Sequence, residues 1–141
     1  MLYNGVIQRK LALLNKQLFK LEDYLKGVGY AEFSESWAHR SLSERALQVS
    51  VEIIIDVAER IISLEGKGPV SSASEAVECL VSMGVLKSAD PYVNMVRFRN
   101  VIVHQYEEID PSILYTLATT KLSAFRRFID EISEMEGCAV R

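Results

Sequence analysis

The residues of this sequence that are best suited to chemistry lie in the segment 97–106, RFRNVIVHQY. His104 is the strongest acid–base candidate in the chain, because an imidazole with an ordinary pKa of about 6.5 exchanges its proton near neutral pH. On a helix, Asn100 shares a face with His104 at i, i+4, and Arg97 joins that face at i, i+7. Arg99 lies about 140° away from His104 on an ideal helix. The two could converge if the helix ends or distorts near His104, if Arg99 reaches round, or if a second copy of the chain supplies the partner.

The same segment also has a purely structural interpretation. A histidine at a helix C-terminus commonly caps the last carbonyl groups or interacts with the helix dipole. The two arginines precede an acidic turn, with Glu107, Glu108 and Asp110, and could form surface salt bridges with it. Tyr106 could be a half-buried packing residue. From the residue types alone, this structural interpretation is the simpler of the two.

A second predicted helix carries a polar stripe on an otherwise apolar segment. Between residues 46 and 58 it is nearly apolar on all other faces, so we expect it to lie centrally. The stripe falls within about 40° of Glu52 on an ideal helix. Its members are Arg45, Gln48, Glu52, Asp56 and Glu59. Arg45 and Glu59, near the ends of the stripe, are expected to be exposed to solvent. The three central residues, Gln48, Glu52 and Asp56, could instead line a cleft or a dimer seam.

The helices that must position these residues follow from capping and stop signals. Capping boxes begin at Ser41 and Ser72, and Asp90-Pro91 and Asp110-Pro111 each place an N-cap before a proline at the first helical position. The predicted helices cover about residues 5–26, 41–64, 72–83, 90–106 and 111 onwards. The first carries a bundle seam with spacings of four and three: Ile7, Leu11, Leu14, Leu18, Leu21 and Leu25. No useful stretch alternates with period two, so the sequence predicts an all-α, up-and-down antiparallel bundle of four to five helices in one domain, residues 1–141.

Composition and charge narrow the class of protein. The chain has 141 residues, of which 49% are hydrophobic and 25% charged, which is an ordinary globular composition. A net charge of −3 excludes a polybasic nucleic-acid arm but not a local basic patch. No apolar run approaches the ~20 residues of a membrane span and the N-terminus lacks signal-peptide features, so we expect a cytoplasmic protein without membrane contact. Two histidines and two cysteines without zinc-ligand spacing predict no metal site.

Residues 99–106, RNVIVHQY, match the pattern R-N-x-x-x-H-x-Y, and this form of the R-x4-H motif resembles HEPN domains of the HepT type. The second predicted helix, with Glu52 and Asp56, is similar to the second helix of that family, and residues 69–86 resemble its middle helix and turn. The resemblance covers about residues 5–135. Arg97 is a departure, because a small or neutral residue is expected there; it could add affinity for phosphate or lie on the surface.

The resemblance implies a helical bundle that dimerises, with the R-x4-H motifs of both copies in one cleft at the dimer interface. It implies a metal-independent endoribonuclease toxin whose partner is a minimal nucleotidyltransferase antitoxin. In some such pairs the antitoxin transfers AMP to the motif tyrosine, here Tyr106. RNA supplies its own nucleophile, the 2′-OH, so no cofactor is required.

Site roles follow from the same resemblance. Arg99 and His104 are the expected catalytic residues, with His104 moving a proton and Arg99 stabilising charge on the reacting phosphate. Four further residues are expected to bind or orient the substrate: Asn100, Arg97, Glu52 and Gln48. Two alternatives stay open, namely a non-catalytic HEPN module that binds a nucleotide or a protein partner, and a plain dimerisation bundle in which Arg99 and His104 lie on the surface.

Overall fold

A computed structural model describes residues 5–104 and 109–140, and within these ranges the chain is helical without any strand. The helices are α1 (Gly5–Tyr24), α2 (Tyr30–Glu35), α3 (Trp37–Leu64), α4 (Ala73–Ser82), α5 (Asp90–His104), α6 (Pro111–Thr120) and α7 (Leu122–Val140). The all-α class is therefore confirmed, but the described residues form seven helices where the sequence predicts four to five. None of the helices in these ranges has the length and apolarity needed to cross a bilayer.

The core is built on α1 and α3, which pack along each other. All six members of the predicted α1 seam are buried, from Ile7 to Leu25. The helix ends at Tyr24, about two residues before its predicted end, and the turn that follows contains Gly27, whose φ of 78° lies in the left-handed region that favours glycine. Most of the apolar residues between 47 and 62 of α3 are buried, which explains why this helix is apolar on most of its faces.

The start of α3 corrects the prediction. The Ser36 hydroxyl accepts a hydrogen bond from the His39 backbone N–H at 3.1 Å, so Ser36 is the N-cap and the helix begins at Trp37. Ser41, predicted as the cap, lies one turn inside the helix. The polar stretch before it forms the short helix α2, which is anchored by the fully buried Phe33. A six-residue helix with one buried side chain is too short to show a helical period, so α2 has little signal in the sequence.

Two other helix starts match their predicted caps, and one is displaced. Ser72 caps α4 by accepting from the Glu75 N–H, and Asp110 caps α6 by accepting from the Ser112 N–H at 2.8 Å. At α5 the carbonyl of Ala89 accepts the first helical hydrogen bond, from Val93, so Asp90 is the first helical residue and not the cap. The fifth predicted helix is broken between α6 and α7 at Lys121, where neither glycine nor proline marks the change.

The helix that carries the motif is held at its start by α7. The Tyr92 hydroxyl, in the first turn of α5, donates to Glu131 Oε2 at 2.6 Å, and the Lys87 backbone N–H donates to Glu131 Oε1 at 3.1 Å. Tyr92 is fully buried and its ring contacts Phe128 edge-on. The N-terminal half of α5 is therefore fixed in the core, while its last turn projects towards solvent.

Candidate functional site

A groove of about 490 Å³ lies between the middle of α3, the start of α4 and the second half of α5. Its lining combines three acidic residues, two serines, one arginine and a few apolar residues: Glu52, Ile55, Asp56, Glu59, Val70, Ser71, Ser72, Ala73 and Arg99. Among the described residues, the motif arginine is thus the one positive side chain in the lining of this groove. The groove is formed because α5 packs against both α3 and α4.

Arg99 is half-buried, and its Nε atom is buried without a hydrogen-bond partner among the described residues. A buried donor left unsatisfied costs about 1–3 kcal/mol, so proteins generally keep such groups paired. The guanidinium also has no ion pair within 4.0 Å in this part of the chain. An unpaired guanidinium in an open groove is suited to bind a phosphate or carboxylate from outside the chain.

The polar stripe of α3 forms the acidic side of the groove. Glu52 is half-buried and accepts a hydrogen bond from Gln48 Nε2 at 3.2 Å, which orients its carboxylate. Asp56 is exposed and pairs with Lys10 of α1 at 3.4 Å. The structure therefore places Glu52 and Asp56 on a cleft, whereas Gln48 stands behind Glu52 and does not line the groove. Arg45 is exposed, in agreement with its assignment to solvent.

Sequence reasoning missed two parts of the groove. It assigned Glu59 to solvent, and this residue is exposed but also lines the groove. It gave no site role to the turn that leads into α4, where Ser71, Ser72 and Ala73 form one wall. The capping box at Ser72 marks a helix start, yet nothing in the sequence indicates that this start faces Arg99.

The rest of the motif lies on the other side of α5. Arg97, Asn100 and His104 are all exposed, as expected for residues that share one helix face. Arg99 points away from them into the groove. No hydrogen bond or ion pair joins Arg99 to His104 within the described ranges. The predicted site residue Tyr106 lies outside those ranges.

The groove of a single chain has an acidic balance. Three carboxylates face one guanidinium, and like charges repel a polyanion such as RNA. Additional positive charge from another chain would be needed to favour phosphate there. Among the described residues, no group of three His, Cys, Asp or Glu side chains is arranged to hold a metal ion.

Comparison with known proteins identifies the class to which this fold and motif belong. The sequence matches the ribonuclease HepT-like family over residues 14–132, so the chain belongs to that family and the resemblance seen in the motif is confirmed. It is 23% identical over 130 residues to the tRNA nuclease HepT of Aphanizomenon flos-aquae, covering 91% of this chain and 88% of the relative. It is 25% identical over 131 residues to the mRNA nuclease HepT of Shewanella oneidensis, covering 92% and 97%.

Solved structures share the fold. A tri-AMPylated Shewanella oneidensis HEPN toxin in complex with its MNT antitoxin superimposes with a TM-score of 0.86 at 23% identity, over 94% of this chain and 99% of that one. The helical arrangement described above is therefore shared with that protein.

Proposed function

We propose that this chain is an endoribonuclease toxin that cleaves RNA without a metal ion at a site composed of Arg99 and His104. Membership of the ribonuclease HepT-like family supports the reaction class. The observation that carries the assignment of the site is the Arg99 guanidinium, which is held in an open groove with a buried and unpaired Nε. A guanidinium without an internal partner is ready to accept the phosphate of a substrate.

In the proposed reaction the ribose 2′-OH attacks the adjacent phosphorus and the O5′ oxygen leaves. A 2′,3′-cyclic phosphate forms on one product and a 5′-OH on the other. His104 exchanges the proton that the 2′-OH loses or the O5′ oxygen gains, because the ring nitrogens of an imidazole can act as general base and as general acid, and this side chain is exposed. Arg99 stabilises the negative charge that grows on the phosphate oxygens, and Asn100 orients the imidazole or the substrate. Both the nucleophile and the stabilising charge are present without a metal ion.

A homodimer completes this proposed site. Arg99 and His104 are separated by about 140° around an ideal helix, and no hydrogen bond joins them within the described ranges, so a two-fold axis that brings Arg99 of one copy to His104 of the other would complete the pair. Duplication doubles the carboxylates of the groove together with Arg99, but it can also bring Arg97 of both copies to the cleft. Four arginines would then face six carboxylates, which is less acidic than the one arginine and three carboxylates of a single groove.

The proposed regulatory partner is a minimal nucleotidyltransferase antitoxin. A structurally similar HEPN toxin is AMPylated and bound to an MNT antitoxin. The antitoxin would modify Tyr106, which follows the motif histidine by two residues.

Cleavage of RNA by the purified protein tests the proposal. We expect cleavage to persist in excess EDTA and to give 2′,3′-cyclic phosphate or 3′-phosphate ends. Arg99→Ala and His104→Ala should each lower the rate by about 10²–10³ or more while the helical circular dichroism spectrum is kept. Arg126→Ala is the matched control, because it removes an exposed arginine that pairs only with Glu22 at 3.1 Å on the surface. Activity that is lost on chelation and restored by magnesium would contradict the mechanism.

The second candidate function is a non-catalytic module that binds a nucleotide or a protein partner. The three carboxylates around Arg99 favour it over cleavage of RNA, since they repel a polyanion more strongly than a single nucleotide or a protein surface. Under this alternative, wild-type protein binds an adenine nucleotide or a protein partner without cleaving RNA, and Arg99→Ala lowers only that binding.

A further inference from the structure

Another cavity, of about 360 Å³, lies above α3 between α5 and the α6–α7 region. It exists because α5 and α6 both pack on α3, and their side chains leave a space between these two helices. We call this space the α5–α7 cavity. Among the described residues it has no lining residue in common with the Arg99 groove. Its volume lies at the lower end of the ~300–1,000 Å³ that is typical of small-molecule pockets.

The lining of the α5–α7 cavity is mostly apolar. Side chains of α3, α5, α6 and α7 contribute to it, among them Leu47, Val51, Met95, Phe98, Leu117 and Phe125. Phe98 and Leu117 pack against the core and are nevertheless only half-buried, so each keeps apolar surface that is not covered by the chain. Covering that surface with the apolar part of another molecule is favourable. Water is a poor occupant of such a space, because an ordered water needs two to four polar partners.

Two polar residues lie at the opening of the α5–α7 cavity. Asn94 and Lys121 both line it and both are exposed, which places them where the cavity meets solvent. Among the described lining residues, Lys121 is the one charged side chain and no carboxylate accompanies it. The Lys121 ammonium also has no ion pair within 4.0 Å in the described part of the chain. An apolar space with a single positive charge at its opening is complementary to a molecule with an apolar chain and one anionic group.

The composition of the α5–α7 cavity does not suit a nucleic acid. Contacts to a nucleic-acid backbone are made by several cationic or hydrogen-bonding groups that follow successive phosphates, and this lining offers one cation and one amide. A small molecule with one charge matches it better. Such an occupant would contact Met95 and Phe98, which belong to the helix that carries Arg99, without entering the groove that Arg99 lines.

We infer that the α5–α7 cavity binds a small amphipathic carboxylate, with its apolar chain between Phe98 and Leu117 and its carboxylate paired with Lys121. The cavity is distinct from the site of the proposed function, so this binding is a further property of the chain. A ligand that binds the folded chain and not the unfolded one also stabilises it, so the melting temperature should rise with ligand concentration.

Isothermal titration calorimetry on the purified full chain tests the class of ligand, with hexanoate, octanoate and decanoate as probes. Each added pair of methylene groups should lower Kd by about tenfold, because the longer chain covers more of the apolar lining. Octan-1-ol, which has the same number of carbons as octanoate and no charge, should bind at least about threefold more weakly than octanoate.

Two variants test the location. Ala124→Leu should raise the Kd of decanoate by about tenfold or more while the helical circular dichroism spectrum is kept, because the larger side chain fills empty space in the cavity. Lys121→Met removes the charge and keeps an apolar stem, so it should weaken decanoate by about threefold or more and leave octan-1-ol unchanged. Ala46→Leu and Lys26→Met are the matched controls, because these residues line other cavities, and both should leave the Kd of decanoate unchanged.

Three results would overturn this inference. They are a Kd of decanoate weaker than about 1 mM, a Kd that is unchanged in both cavity variants, and binding of octan-1-ol that is as tight as that of octanoate. Each of them would leave the proposed function standing, because RNA cleavage is assigned to Arg99 and His104, and neither residue lines the α5–α7 cavity.

Discussion

Tyr106 is the residue through which we expect the activity to be controlled. It follows His104 by two residues, and AMP attached to its hydroxyl would place a phosphate near Arg99 and His104, where it could pair with Arg99 and block the substrate. Co-expression with the nucleotidyltransferase partner should therefore silence the protein and add about 329 Da per AMP to its mass. Tyr106→Phe should lose these additions, measured by intact-mass spectrometry, and should escape neutralisation by this route. Additions that persist in Tyr106→Phe would exclude this tyrosine as the control point.

Glu131 is a buried acidic residue whose role is to fix the helix that carries the motif. Burial raises the pKa of the Tyr92 hydroxyl above its usual range, and the hydrogen bond to Glu131 raises it further. Tyr92→Phe leaves the buried carboxylate with one donor fewer, so we expect a loss of about 1–3 kcal/mol in the free energy of unfolding, measured with urea.

Tyr115→Phe is the control for that variant. It removes a comparable hydroxyl, which donates to the carbonyl of Val28 at 2.9 Å, but the site is only half-buried and the acceptor is uncharged. The expected loss in the free energy of unfolding is about 0.5–1.5 kcal/mol. Equal losses in the two variants would mean that removing a hydrogen bond to the buried carboxylate of Glu131 costs no more than removing one to an uncharged carbonyl.

The caps of α4 and α6 make the stability of these elements depend on pH. Hydrogen bonds from the Ser71 hydroxyl and then from its backbone N–H lower the pKa of Glu75, and the same two groups of Ser112 lower the pKa of Asp110. A carboxyl whose pKa is lower in the folded state contributes stability above its unfolded pKa, and this contribution is lost as the pH falls through the folded pKa. We expect the urea midpoint to fall below about pH 4.5 and to fall less steeply in Glu75→Gln and Asp110→Asn. If the urea midpoint fell with pH equally steeply in the variants and in the wild type, this expectation would be wrong.

At the scale of elements, the sequence predicts structure where one local signal agrees with burial. The α1 seam is correct at every position because its period of 3.6 residues coincides with the side that packs on α3. The predicted ends near residues 64 and 83 agree with the ends of α3 and α4, because Gly66 and Gly84 follow them with positive φ, which few other residues tolerate. The start of α3 is wrong because Ser36 and Ser41 offer the same capping chemistry, and only the packing of Phe33 decides between them. The break between α6 and α7 at Lys121 depends on tertiary contacts, which give no signal in the local sequence.

The candidate site, too, is predicted where helix geometry alone decides and is not predicted where the packing of helices decides. Helical geometry predicts the separation of Arg99 from His104, and it predicts that Glu52 and Asp56 share a surface. It does not predict that this surface meets Arg99, since that depends on where α5 crosses α3 and on the turn before α4. The unpaired Nε of Arg99 likewise emerges only from the packed structure.

At the scale of the whole molecule, the arrangement of the motif predicts that catalysis is shared between two chains. Arg99 enters the groove between α3 and α4, while His104 is exposed and does not line that groove. For one chain to bring Arg99 to its own His104, α5 would have to be distorted, whereas it is a continuous helix up to His104. A site made between chains needs only the two-fold axis of a homodimer.

Complementation between inactive variants separates these two arrangements. In a mixed dimer of Arg99→Ala and His104→Ala chains, a shared site retains Arg99 from one chain and His104 from the other, so one of the two sites is intact. Half of the dimers in an equimolar random mixture are mixed, so we expect about a quarter of the wild-type cleavage rate to return after subunit exchange. Each variant alone is inactive, and a mixture with Arg99→Ala/His104→Ala in place of one parent supplies the control. If each site were built within one chain, every mixed dimer would lack a complete pair and the mixture would stay as inactive as its parents.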